Sequence, residues 1–222
     1  MEQVKELLEQ AGYSCLGYDE AFSFGCVGCG KCCTFREDIL LSPLDLFKMA
    51  NYLNVTIDAF LHTYCDCYIG EETRLPLVRI QPQGSFKTCP LNSGGKCLVH
   101  AAKPYVCACY PLGFFTMDGA AAYFLQPDIC NKKPQQAQTV RQWLAAHGIL
   151  DDEDFVKSWH AYTCKISTML RKLQGGTRKK LVKILHEKLY LAYDLEQDFP
   201  LQFSRNCEGV LMLLEQALSI SG

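Results

Sequence analysis

The sequence predicts an α+β protein, in which a small cysteine-rich core of short strands and helices carries a helical C-terminal layer. Three observations predict it. Eleven of the fourteen cysteines fall between Cys26 and Cys130. That stretch alternates short helical and strand-like patterns, and the residues after it read almost wholly as helix. The chain is accordingly read as an N-terminal helix and lead-in (residues 1–25), a cysteine-cluster core (26–130) and a helical region (131–222).

Val4, Leu7, Leu8 and Ala11 recur at helical spacing and predict a first amphipathic helix. Ser42-Pro43-Leu44-Asp45 has the grammar of a helix start, with Ser at the N-cap, Pro at the first turn and Asp at the third position. That helix is expected to reach Tyr52 or Leu53, and a second runs from Thr56 to about Tyr64. Leu75 to Ile80 and Lys96 to His100 read as short strands. Phe114–Met117 and Ala120–Leu125 flank Asp118-Gly119, a strong hairpin signal. Beyond the core, helices are expected over 135–146, 152–173 and 178–196, with a last one from about Cys207 to Leu218. Asp151 to Asp154 place acidic side chains at a helix start, where the macrodipole favours them.

Composition narrows the function. The 222 residues are 49% hydrophobic and 21% charged, with 22 basic against 24 acidic side chains and a net charge of -2. A nucleic-acid binder would normally carry a basic excess, so none is expected as a partner. No apolar run approaches the roughly 18 residues of a membrane span. The charged opening Met1-Glu2-Gln3-Val4-Lys5-Glu6 lacks the apolar stretch of a signal peptide, and the expected compartment is the cytoplasm. Clustered thiols in a reducing compartment point to metal ligands or redox centres before structural disulfides.

The strongest motif is Gly25-Cys26-Val27-Gly28-Cys29-Gly30-Lys31-Cys32-Cys33. Repeated Cys-x-x-Cys turns aim several sulfurs at one point. The glycines allow the positive φ of such turns and leave amide N–H groups for sulfur. The spacing opens like a bacterial ferredoxin, but no fourth cysteine followed by proline arrives locally. Remote ligands are therefore expected from Cys89-Pro90, Cys97, Cys107 and Cys130. In an extended segment Cys32 and Cys33 would point to opposite faces, which favours two centres over one.

These residues together resemble the CxxCxxCC, or YkgJ-type, cysteine-cluster family of zinc- or iron-chelating proteins. The leading four cysteines, Cys89-Pro90, Cys97 and the Pro104-Tyr105-Val106-Cys107-Ala108-Cys109-Tyr110-Pro111 segment match its pattern over roughly residues 24–130. Two family arginines are replaced, by Lys103 and Ala108, so bidentate guanidinium contacts are missing at both. The ligand set read from this pattern is Cys26, Cys29, Cys32, Cys33, Cys89, Cys97, Cys107 and Cys130.

Eight thiolates suit one or two 4Fe–4S clusters or tetrahedral zinc sites. The tight spacing, the glycines and Cys-Pro lean towards iron–sulfur, with zinc as the alternative. Cys109 is a substitute for Cys107 if the backbone is helical there, and Cys65-Asp66-Cys67 is either an added ligand pair or two half-buried thiols. Cys15 and Cys207 read as small core residues. His160 and Cys164, four apart on a helix, are expected to pack beside Trp159 and Tyr162. His100 is the best histidine candidate for a ligand, while His62, His147 and His186 read as surface or edge residues. The basic run Arg178-Lys179-Lys180 reads as a solvated face.

Three functions follow. The first is a cytoplasmic metal-cluster protein for electron transfer, metal handling or an unassigned redox reaction, with metal ions and a redox protein as partners. The aromatics around the cysteines (Phe22, Phe24, Phe35, Tyr64, Tyr68, Tyr105, Tyr110, Phe114 and Phe115) are expected to shield such a centre. The second comes from resemblance: some proteins with this cysteine cluster are similar to flagellin lysine N-methylases, which implies S-adenosylmethionine and a protein lysine. No residue here can be matched to a donor pocket. The third is a structural zinc module docking a partner through its helical tail. No nucleotide-binding glycine loop, Gly-x-Ser-x-Gly elbow or His-Glu-x-x-His pair occurs.

Overall fold

The structure is a computed structural model that describes residues 2–26, 28–117, 120–126, 136–173 and 175–221. Its strands are β1 (Ser14–Leu16), β2 (Ala21–Phe24), β3 (Leu40–Leu41), β4 (Cys65–Ile69), β5 (Pro76–Ile80), β6 (Asn92–Ser93), β7 (Lys96–Cys97), β8 (Leu112–Met117), β9 (Ala120–Leu125) and β10 (Gln136–Thr139). Its α-helices are α1 (Glu2–Gln10), α2 (Pro43–Leu53), α3 (Ile57–Tyr64), α4 (Tyr105–Cys109), α5 (Val140–Ala146), α6 (Glu153–Lys172), α7 (Gly175–His186) and α8 (Phe199–Ser221). The α+β reading holds. Among the described residues no helix is long and apolar enough to cross a membrane.

The chain gathers into two compact units. Unit 1 comprises Met1–Arg36, Gln83–His100 and Tyr105–Ser158; unit 2 comprises Glu37–Pro82, Ala101–Pro104 and Trp159–Gly222.

In unit 1, β8 and β9 form an antiparallel hairpin extended by β1, and β10 pairs with β2. The expected hairpin is there, although its turn at Asp118-Gly119 lies outside the described residues. Phe22 and Phe24 of β2 point inward at period two and join Tyr105, Cys109, Leu112, Tyr123, Val140, Trp143 and Leu144 in one buried cluster. Burying side chains of this size is worth about 1.5–3 kcal/mol each. Within it Trp143 meets Phe24 edge to face at 5.5 Å, and its indole N–H donates to the Cys109 carbonyl at 3.0 Å. Tyr105 and Tyr123 share a hydroxyl hydrogen bond of 2.8 Å, and Tyr123 donates to the buried Glu153 carboxylate at 3.2 Å.

In unit 2, β5 lies between β3 and β4 in an antiparallel sheet. The reading of Ser42 to Asp45 is correct in detail: Ser42 Oγ accepts from the Asp45 amide at 3.2 Å, and Asp45 accepts from the Ser42 amide at 2.8 Å. Thr56 caps α3 in the same way, accepting from the Ala59 amide at 3.2 Å. Helix α7 packs on β5 and runs into a single π turn, Glu187–Leu191, where Leu189 and Tyr190 are buried.

Several expectations are corrected. Residues 136–139 form strand β10 rather than the start of a helix, because they complete the ladder of β2; only Val140–Ala146 is helical. The strand expected over 96–100 is only Lys96–Cys97, since His100 already enters a 3-10 turn. The helix expected over 178–196 begins at Gly175 and ends in the π turn. The last helix begins at Phe199, with Asp198 accepting from the Leu201 amide at 3.2 Å.

Candidate metal centre

The cysteine loop of unit 1 is shaped by its glycines. Gly28 and Gly30 have φ of 63° and 69°, a region L side chains rarely adopt. Gly30 is also in close approach: a Cβ there would lie 3.2 Å from Asn92 Nδ2 and 3.3 Å from the Gly95 Cα. The leading loop is therefore laid against the turn of the β6–β7 hairpin. That turn is fixed by Asn92 Oδ1, which accepts from the Gly95 amide at 2.9 Å.

Past Gly30 the chain enters a 3-10 turn, Lys31–Cys33, closed by the Cys33 amide donating to the Gly30 carbonyl at 2.9 Å. This corrects the expectation that Cys32 and Cys33 diverge. The turn puts both sulfurs on one side, 4.0 Å apart. A tetrahedral centre with metal–sulfur bonds of about 2.3 Å has S···S edges of about 3.8 Å, so the two fit a shared metal atom.

The second segment is stitched to the first by the Cys89 amide, which donates to the Cys33 carbonyl at 2.8 Å. From there Asn92 pairs with Cys97 across the short hairpin. The third segment is α4, which carries Cys107. On that helix residues two apart point away from each other, so its two cysteines meet different surroundings. Cys109 is enclosed in the apolar core, and Cys107 is half-buried. Ala108, standing where the family pattern has arginine, is buried in the same core, so a guanidinium has no room there.

The thiols of these segments feel one another electrostatically. The hydrogen bond with Cys32, burial, and the charges of Cys32, Cys89 and Cys107 push the Cys33 thiol far up. Burial, then Cys97 and Cys32, push Cys89 up against the opposing effect of the Leu91 amide. Cys33 is thus within electrostatic reach of Cys32, Cys89 and Cys107, and Cys89 within reach of Cys97 and Cys32. Crowding thiolates together is unfavourable until a cation compensates them, and the donor set fits a thiophilic metal on that ground.

Cys26 and Cys29 stand exposed on the glycine loop of the same unit, and Cys130 lies outside the described residues. As the side chains stand, no three Cys, His, Asp or Glu among the described residues are gathered around a single ion position. His100 is exposed. Of the aromatics expected as a shield, Phe22, Phe24 and Tyr105 are buried in unit 1. Phe35 is exposed and meets the exposed Phe86 edge to face at 5.9 Å, and Tyr64 and Tyr68 belong to unit 2.

Comparison with known proteins points to the same chemistry. The sequence profile of the CxxCxxCC family, described as a "Putative zinc- or iron-chelating domain", matches residues 25–165. The chain belongs to this family. Chelation of zinc or iron is the chemistry that the family description gives this CxxCxxCC protein. No curated protein and no solved structure matches it.

The remaining cysteines of this CxxCxxCC protein fall elsewhere. Cys15 sits half-buried in β1, and Cys207 is half-buried, its thiol pushed up to about 12 chiefly by burial. The packing expected of His160 and Cys164 is not observed: both are exposed, with Nε2···Sγ 3.7 Å. Sequence reasoning missed one contact outright. His186, read as a surface residue, places Nε2 3.3 Å from Cys67 Sγ, across 119 positions of sequence.

Proposed function

We propose that unit 1 of this chain is a cysteine-ligated metal centre, holding iron in iron–sulfur form and serving electron transfer or metal handling. Its inner ligands are drawn from Cys32, Cys33, Cys89, Cys97 and Cys107, with Cys26, Cys29 and Cys130 completing the thiolate set. The observation that carries a thiolate-held metal in unit 1, whatever its form, is the 4.0 Å Cys32–Cys33 pair lying within the charge field of Cys89 and Cys107. The amide-rich glycine turns around the leading cysteines support an iron–sulfur occupant, because backbone N–H groups stabilise cluster sulfur.

The same 4.0 Å separation also favours a second reading, a single zinc or iron ion. Two sulfurs one tetrahedral edge apart suit one metal atom, whereas a cubane spreads four thiolates over four irons. Metal and acid-labile sulfide analysis of anaerobically isolated protein separates the two. Iron with matching sulfide and broad visible absorption supports the cluster; colourless protein with zinc and no sulfide supports the single ion. Protein that binds neither metal overturns both.

A further inference from the structure

We propose that Cys65, Cys67 and His186 form a second metal site, in unit 2, for a soft or borderline ion of the zinc class. All three residues belong to that unit, and His186 lies beyond the region matched by the family.

The site is built from a strand and a helix end. In β4, Cys65 stands opposite Ile80 and Cys67 opposite Val78, so the two cysteines share one face of the sheet. Residues two apart on a strand are about 6.7 Å apart; the three side chains are not gathered around one ion as they stand, and turning both C–S bonds inward would bring the sulfurs to the ~3.8 Å edge of a metal tetrahedron. Asp66, between them, faces the other way and is held by Arg79 at 3.2 Å. His186 is the last residue of α7 and already touches Cys67, Nε2 to Sγ 3.3 Å. A tetrahedral zinc bound by one sulfur and one imidazole nitrogen sets those atoms about 3.5 Å apart.

The helix end is anchored to the same sheet. In the π turn after His186, the buried Tyr190 donates its hydroxyl to the Pro76 carbonyl at 3.2 Å, at the start of β5. Its ring lies 5.9 Å from that of His186. The histidine is therefore tied to the strand pair through the Tyr190 hydroxyl and ring, and π turns recur at functional sites. Cys67 is exposed, which gives an ion access and leaves a fourth position for water or an exogenous ligand. Two thiolates and an imidazole select zinc or copper(I) over magnesium or calcium.

The test is anaerobic titration of the full metal-free chain with Co2+, read by thiolate-to-cobalt charge-transfer absorption. His186→Gln and Cys67→Ser are each expected to weaken one equivalent of Co2+ at least tenfold, with unchanged far-ultraviolet circular dichroism. The Cys32→Ser/Cys33→Ser variant is expected to retain that equivalent, so failure of the unit 1 reading stays distinguishable. As a second readout, Zn2+ is expected to slow alkylation of Cys67 in the wild type and not in His186→Gln. If His186→Gln matches the wild type in both cobalt affinity and alkylation, the Cys67–His186 contact is a hydrogen bond only and the proposal is overturned.

Discussion

Replacing Gly30 by alanine tests whether the cysteine loop is held against the β6–β7 turn. Gly28 and Gly30 share the left-handed backbone, at φ of 63° and 69°. An L residue there costs about 1–2 kcal/mol. They differ in surroundings. A Cβ on Gly28 meets nothing within 4 Å, whereas one on Gly30 lies 3.3 Å from the Gly95 Cα and 3.2 Å from Asn92 Nδ2. Asn92 can swing aside only by releasing the Gly95 amide, and a backbone carbon cannot swing at all. Overpacking of this kind costs about 1–3 kcal/mol more. Gly30→Ala should therefore weaken metal retention beyond Gly28→Ala by at least about 1 kcal/mol, about fivefold. Chelator competition on anaerobically loaded protein measures this, because metal binding and folding of such a site are linked. Equal losses in the two variants would refute the packed-loop argument.

Three further outcomes are expected. Cys33→Ser should lose the iron or zinc of unit 1, while Cys15→Ser, half-buried in β1, should retain the wild-type metal content by elemental analysis. Glu153→Gln should destabilise the protein by about 1–3 kcal/mol in urea unfolding, because it breaks the charge-assisted contacts to Lys157 and Tyr123. Burial pushes the Glu153 carboxyl up, but Lys157 and the Tyr18 and Tyr123 hydroxyls overcome this and hold it below the usual carboxylate range. Its contribution is thus present above the ordinary carboxylate pKa of about 4.5 and lost as pH falls through the lowered value. The wild-type advantage over the variant should shrink with acidification, as read by unfolding midpoints.

How much was legible depended on how local the cause was. The capping box at Ser42 and Asp45, the Thr56 cap and the β8–β9 pairing are set by near neighbours in sequence, and each was readable. The start of α8 was also locally marked, by Asp198 at the cap and Pro200 in the first turn, yet the proline reads more readily as a breaker. Strand β10 was not legible: Gln136-Ala137-Gln138-Thr139 has no strand-like alternation and becomes a strand only because β2 supplies a partner. The cysteine motif announced the leading loop and its positive-φ glycines. It did not reveal that a 3-10 turn would bring Cys32 and Cys33 side by side, since the extended alternative has the same sequence. The Cys67–His186 contact had no local signature at all.

The most direct measurement is the iron, zinc and acid-labile sulfide content of the full chain isolated without oxygen, taken beside that of Cys33→Ser. The expected result is at least one metal atom per wild-type chain and a content lower by the unit 1 metal in the variant. A folded wild-type chain that carries no metal, and takes up neither iron nor zinc when both are supplied, would contradict a thiolate-held centre.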